Sequence, residues 1–405
     1  MESVLQKIGG YCFANTKISS IYIPRTLTSI TATVFQATIT MQDIRCDPMN
    51  SKFCSQDDVL YNYDMTSIVY FPANKSKSIV IPESVISVEY CCFLYSSIET
   101  VEFPPKIKNL WGYSFSRTNL RSITIPNSVT YMADGVFAYC KLLNEIIFGN
   151  GVNYISEYCF YGTNISSITI PYGYKKVGGN AFFDCPNLKN VILPSTITDM
   201  GGSAFPLTVN FTFDSGAQLT IDDQRIMFNL DKTKLIMCLN KSDSYTIPEQ
   251  VQIINENAFK DNPILRKIVF KSNSNLNEIG KNAFANCLLL SSIDIPISTS
   301  NFLDGAFSGC SSITTVFFGK NLISISDNAF SYCTSLSSVI FNECDQNASI
   351  KINSFRGCSS LSTLTLSARI TRIEMYCFAD CIKLTILNLP STLIYIGIYA
   401  FSNNQ

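Results

Sequence analysis

Leu120-Arg121-Ser122-Ile123-Thr124-Ile125-Pro126-Asn127-Ser128-Val129, followed by Met132 and then by Val136-Phe137-Ala138-Tyr139-Cys140, decides the fold. Ile123 and Ile125 alternate with Ser122 and Thr124, the period-2, β-branched pattern of a short strand with one buried face. Pro126 has no N–H to donate to a ladder, so it ends that strand. Phe137 stands eleven residues beyond Pro126, with a slender side chain just before it and an apolar one five before it.

Working outward, the same phase recurs along the chain. Phe13, Phe35, Phe93, Phe115, Phe137, Phe160, Phe182, Phe205, Phe259, Phe284, Phe307, Phe330, Phe355, Phe378 and Phe401 form one series, and twelve of its fourteen intervals are 22 to 25 residues. The residue five before each anchor is apolar in all fifteen cases, and the residue just before it is Ala, Cys, Ser or Val. A unit of this length cannot bury its own apolar face, so units must stack and bury each other's. The fold expected is a β-rich solenoid of about 15 coils, with parallel strands about 4.8 Å apart. Ile123, Ile125, Met132 and Phe137 point inward in this register, while Thr124 and Thr169 point out.

Three residues after the anchor stands Cys in seven units (Cys140, Cys185, Cys287, Cys310, Cys333, Cys358, Cys381), and Thr, Ser or Asn in the others. Each Cys unit that leads to another anchor is 23 or 25 residues long, whereas units with Thr16, Ser96, Thr118 or Thr163 are 22 long. Two turn variants differing in length account for this. Eleven of the sixteen cysteines occupy this position or the one before the anchor, where a buried free thiol acts as a small hydrophobe with a weak donor. Disulfides between stacked cysteines would have to meet strict bridge geometry. Cys46, Cys54, Cys91, Cys238 and Cys344 are off-register.

The two long intervals, of 58 and 54 residues, resemble each other. Leu60-Tyr61-Asn62-Tyr63-Asp64-Met65-Thr66-Ser67-Ile68 aligns with Met227-Phe228-Asn229-Leu230-Asp231-Lys232-Thr233-Lys234-Leu235. Asn and Asp between apolar runs favour a turn, which predicts hairpins of strands near 59–62 with 67–71, and 225–229 with 234–238. No Pro/Gly/Ser-rich hinge interrupts the pattern. Residues 1–405 are therefore expected to form a single solenoid, with sub-arrays 1–45, 83–213 and 249–405 and modified hairpin coils at about 46–82 and 214–248.

Composition restricts function. Net charge is −1, from 30 basic and 31 acidic residues with no run of either sign, which argues against a nucleic-acid partner. No histidine occurs, which removes Ser-His and Cys-His catalysis and His-ligated zinc. No Cys-x-x-Cys, P-loop, Gly-x-Gly-x-x-Gly or Gly-x-Ser-x-Gly motif is present, and the acidic pairs Asp57-Asp58 and Asp222-Asp223 read as solvated loop charges. The expectation is a non-enzymatic protein without metal or cofactor. No stretch approaches the roughly 20 apolar residues of a membrane span, and Met1 to Ile8 has no apolar signal-peptide region.

Leu120 to Ile125 fits the opening Leu-x-x-Ile-x-Ile of a leucine-rich repeat, without the usual Asn or Cys after the strand. Ile-Pro-x-Ser/Thr-Val, an apolar residue and Ala-Phe-x-x-Cys follow instead. This combination resembles the BspA-like class of leucine-rich repeats, known from surface antigens and adhesins of bacteria and parasitic protists. The two hairpin-like intervals also resemble a variant unit of that class. The resemblance covers nearly all of the chain and implies a right-handed, curved leucine-rich-repeat solenoid used for protein recognition, with no catalytic residues to carry over. It implies a surface or secreted adhesion protein with a host or matrix protein as partner. The lack of a visible signal peptide and the many apparently free cysteines point the other way, to a cytoplasmic scaffold with a cytosolic partner.

A repeat array concentrates recognition on its exposed strand face. Most outward strand positions are Thr or other polar residues, but Ile147, Ile192, Val269, Phe317 and Ile340 are apolar and are the candidate partner-binding residues. Phe317 and Ile340 lie in adjacent units and should be neighbours. Asn74, Asn164, Asn210, Asn240 and Asn347 head glycosylation sequons, which matter only in a secreted chain.

Overall fold

Most repeats form two short strands. The first is the stretch of alternating residues before the proline, as in Ser122–Thr124, Ser167–Thr169 and Thr363–Thr365, whose central residue is buried and whose flanking residues are exposed. The second has only two residues in most coils and ends on the apolar position five before the anchor, as in Asn109–Leu110, Tyr131–Met132 and Glu278–Ile279. Both pair in parallel with the equivalent strand one coil away: Ser122 to Thr124 lie against Glu145 to Ile147, and Leu110 lies against both Val88 and Met132. The proline acts as expected. Ile125 still donates to the Ile147 carbonyl, and Pro126 then turns the chain, its carbonyl accepting from the Val129 N–H.

The computed structural model describes residues 4–240 and 242–404, and among these there is no helix. The molecule is a β-solenoid of stacked coils in two compact units, one of residues 1–200 and 204–217 and the other of 201–203 and 218–405. Their boundary lies at the start of the second modified coil. Each unit contains one modified coil.

The anchor phenylalanines form the core of each unit. In the first, the ring centroids of Phe93, Phe115, Phe137, Phe160, Phe182 and Phe205 succeed one another at 4.6 to 5.5 Å, within 15° of parallel. In the second, Phe259, Phe284, Phe307, Phe330, Phe355, Phe378 and Phe401 follow at 5.0 to 5.4 Å. Such contacts contribute about 0.5–1.5 kcal/mol per pair beyond area burial.

Backbone geometry around the anchors explains the neighbouring residue types. Left-handed residues stand two before and two after most of them: Tyr113 and Arg117 around Phe115, Asn282 and Asn286 around Phe284, Asn328 and Tyr332 around Phe330, all with φ between 52° and 59°. This turns alternate N–H groups toward the next coil. Tyr113, Phe115 and Arg117 donate to the carbonyls of Asp134, Val136 and Ala138. The N–H groups between them, of Ser114 and Ser116, close turns onto Trp111 and Tyr113 within their own coil. Backbone groups that could not meet water are thus paired in two directions. The residue just before the anchor is enclosed between coils, as at Val136, Ala181 and Ala329, where only a small or slender side chain fits.

Cysteine three after the anchor also has a specific bond. In all seven units its thiol donates to the anchor carbonyl of the preceding coil, from Cys140 to Phe115 at 3.0 Å through Cys333 to Phe307 at 3.2 Å to Cys381 to Phe355 at 3.3 Å. The shorter variant turns inward instead, with Thr118 and Thr163 hydroxyls donating to Phe115 and Phe160 of their own coil. In the longer variant a further turn follows, the N–H three residues on returning to the Cys carbonyl, as Leu143 does to Cys140 and Leu336 to Cys333. That turn holds the extra residue. All sixteen cysteines are free.

The modified coils contain the hairpins expected, Val59–Asn62 with Ser67–Tyr70 and Ile226–Asn229 with Lys234–Cys238. A third antiparallel strand precedes each, Phe53–Gln56 and Leu219–Ile221. Asn62 and Asn229 shape the turns alike: the side-chain carbonyl accepts from the N–H five residues on (Ser67, Lys234), and the amide donates to Thr66 or Thr233. The last hairpin strand then pairs in parallel with the next coil, Ile68 against Val88 and Leu235 against Ile254. Each hairpin thus joins an antiparallel meander to the parallel array.

Candidate functional site: the exposed strand face

The outward strand positions form columns whose spacing is set by the parallel register. In the second unit Phe317 lies directly beside Ile340, and Ile340 beside Thr365. The Phe317 ring is 53% exposed and Ile340 half-buried, while Val316 and Val339 between the outward positions are buried. The adjacency expected of this pair is present.

The other three candidates stand singly. Ile147 and Ile192 in the first unit are exposed, with Thr124 beside the former and Thr169 and Thr212 on either side of the latter. Val269 in the second unit lies beside Thr246. Sequence reading missed Val80, which is 69% exposed beside Glu102, because its strand belongs to a long interval where the repeat register is broken. It also missed Tyr22, exposed beside Arg45.

Charge is placed at the margin of this face. Glu99 bridges Lys77 at 2.8 Å and Arg121 at 3.6 Å, one residue from each coil. The Lys77 ammonium, with Arg121 in support, holds the Glu99 carboxyl below the usual carboxylate range. Asp58 pairs with Arg45 and Lys75. Asp57 and Asp58 are both left-handed, in the tight turn between antiparallel strands, and Asp222 accepts from the Ile226 N–H in the corresponding place. The acidic pairs are turn-formers. Among the described residues no group of three or more Cys, Asp or Glu side chains is placed to hold a metal ion, and no helix is long and apolar enough to cross a membrane.

A second surface lies at the turns around the anchors of the first unit. Tyr95, Arg117 and Tyr139 stand two after successive anchors, with the Arg117 guanidinium carbon 5.4 Å from the Tyr95 ring centre and 4.1 Å from that of Tyr139. Aromatic contact continues from Tyr139 to Tyr161 at 5.0 Å and on to Phe183 at 6.1 Å. The constant 22-residue spacing of Tyr95, Arg117 and Tyr139 is a sequence signal for this column. The single tryptophan, Trp111, packs against Tyr131 with ring centres 5.0 Å apart and planes tilted by 56°, and donates from Nε1 to Ser87 Oγ. Of the sequon asparagines, Asn74, Asn210, Asn240 and Asn347 are exposed, whereas Asn164 is half-buried and accepts from Asn187.

Comparison with known proteins agrees with this architecture. The model of the BspA type leucine-rich repeat region matches in six copies, over residues 6–74, 66–185, 153–215, 235–348 and 324–405. A leucine-rich repeat protein of Eubacterium ventriosum is similar in structure, with a TM-score of 0.60 at 19% identity over 87% of this chain and 93% of that one. A leucine rich cell surface protein of Faecalibacterium prausnitzii aligns over 99% of this chain and 86% of its own, with a TM-score of 0.48 at 20% identity. No curated protein matches. Leucine-rich-repeat solenoids of this kind are protein-interaction scaffolds, and this chain belongs to the BspA-type leucine-rich-repeat family.

Proposed function

We propose that the chain is a surface-exposed, non-enzymatic adhesion protein that binds a host or matrix protein through its outward strand face, with Phe317 and Ile340 as the principal contact. The observation that carries this reading is the adjacency of the exposed Phe317 and the half-buried Ile340 at outward positions of neighbouring strands, with Thr365 next in the row. Buried aromatic anchors at the centre of an interface commonly supply most of its binding energy, and Phe317 is the most exposed of the five apolar candidates together with Ile147. Ile147, Ile192 and Val269 supply single apolar contacts on the same kind of face.

The test is Phe317→Ser with Ile340→Ser, assayed by binding to a panel of immobilised extracellular-matrix proteins. Both side chains point out, so the doubly substituted protein should melt as the wild type does and bind at least about tenfold more weakly. Unchanged affinity would remove this patch. The sixteen free thiols favour the competing reading, an intracellular scaffold, because free cysteines persist in a reducing compartment. Binding of cytosolic proteins alone would support that reading.

A further inference from the structure

We propose that Arg117, clamped between Tyr95 and Tyr139, is a recognition site for a carboxylate carried by an acidic segment of a partner protein. Among the described residues three arginines lie over tyrosine rings. Arg356 lies 5.3 Å from the Tyr376 ring centre and pairs with Asp380 at 3.3 Å. Arg372 lies 4.1 Å from that of Tyr395 and pairs with Glu374 at 2.9 Å. Arg117 has a ring on each side, yet no carboxylate pairs with it among the described residues. The same stacking device is completed internally in two places and left open in the third.

The clamp is rigid. Arg117 is left-handed, with φ 59°, and its N–H is bonded to the Ala138 carbonyl of the next coil. Tyr139 lies against the body over Gly162, where a Cβ would come within 3.1 Å of the ring. Gly162 has φ 68°, so glycine there serves both the turn and the ring above it. Ring contacts fix the guanidinium plane while its N–H fork stays exposed, and that fork matches a carboxylate through two parallel hydrogen bonds. Stacking on aromatic faces removes little of the positive charge. Beyond Tyr139, the rings of Tyr161 and Phe183 continue the column and offer apolar surface to side chains flanking the acid. The positive charge and the neighbouring rings together suit an acidic residue set among apolar ones.

The experiment is calorimetric titration of the full chain with the capped peptide acetyl-Tyr-Glu-Leu-Asp-Tyr-amide and with its Gln/Asn counterpart, alongside 3′-sialyllactose. The acidic peptide should bind about tenfold more tightly than the neutral one, a difference of about 1.4 kcal/mol. R117Q should abolish the difference, R117K should retain part of it, and R356Q, whose arginine is already paired, should leave it intact. Because R117K keeps a cation over the rings, it covers the case in which R117Q melts early. Equal binding of the two peptides, a preference that survives R117Q, or binding of the sialylated sugar in place of the peptide would overturn the proposal.

Discussion

At the scale of single residues, the cysteines show how one side chain serves packing and hydrogen bonding together. Burial pushes the Cys140 thiol up to about 11 and those of Cys287, Cys333 and Cys381 up to about 12. A thiol held neutral in the fold and free to ionise once unfolded stabilises the fold fully below the unfolded value, near 9. That contribution is lost as pH rises through the folded values. The urea midpoint should therefore fall between pH 8 and pH 11, and the buried hydroxyls of Tyr70 and Tyr174, also raised by burial, act in the same direction. A midpoint unchanged over that range would contradict the enclosure of these thiols. The place of the cysteines was legible because their phase correlates with unit length. Their bond to the preceding coil was not, since it depends on which carbonyl the stacking brings overhead. The left-handed residues were hidden for a related reason. Asn and Gly advertise such a conformation, but Tyr113, Tyr139 and Arg117 do not, and only the inter-coil N–H ladder holds them there.

At the scale of elements, the three-residue strands and the hairpins were legible, and the two-residue strands were not. A pair such as Tyr131–Met132 is too short to show a period, and it is a strand only because neighbouring coils supply its partners. The third antiparallel strand, Phe53–Gln56, ends in the polar pair Ser55 and Gln56 and so lacked the alternating apolar signal of a strand. Asn62 and Asn229 test the hairpin account. Asn229→Ala removes the acceptor for the Lys234 N–H and the donor to Thr233, at an expected cost of about 1–2 kcal/mol. Hydrogen exchange should then rise over 226–238 while the distant coils of the second unit, such as 355–381, stay protected. Equal loss of protection throughout that unit would mean that the hairpin and the parallel coils unfold together.

At the scale of the whole molecule, a single constraint runs from sequence to function. Coils that cannot bury their own phenylalanines must stack, stacking places equivalent residues side by side, and side-by-side outward residues become a surface. Phe317 with Ile340 could be predicted in this way, because both sit in regular units whose register carries over. The identity of a partner could not, since periodicity locates a face without describing what meets it. The Tyr95, Arg117 and Tyr139 clamp was within reach of the same reasoning applied two residues after the anchor. Proteolysis of intact, unpermeabilised cells that carry the native protein tests the central claim, recognition at the cell surface, most directly. The account predicts cleavage of the solenoid while a cytosolic control stays whole; full protection of both would contradict it.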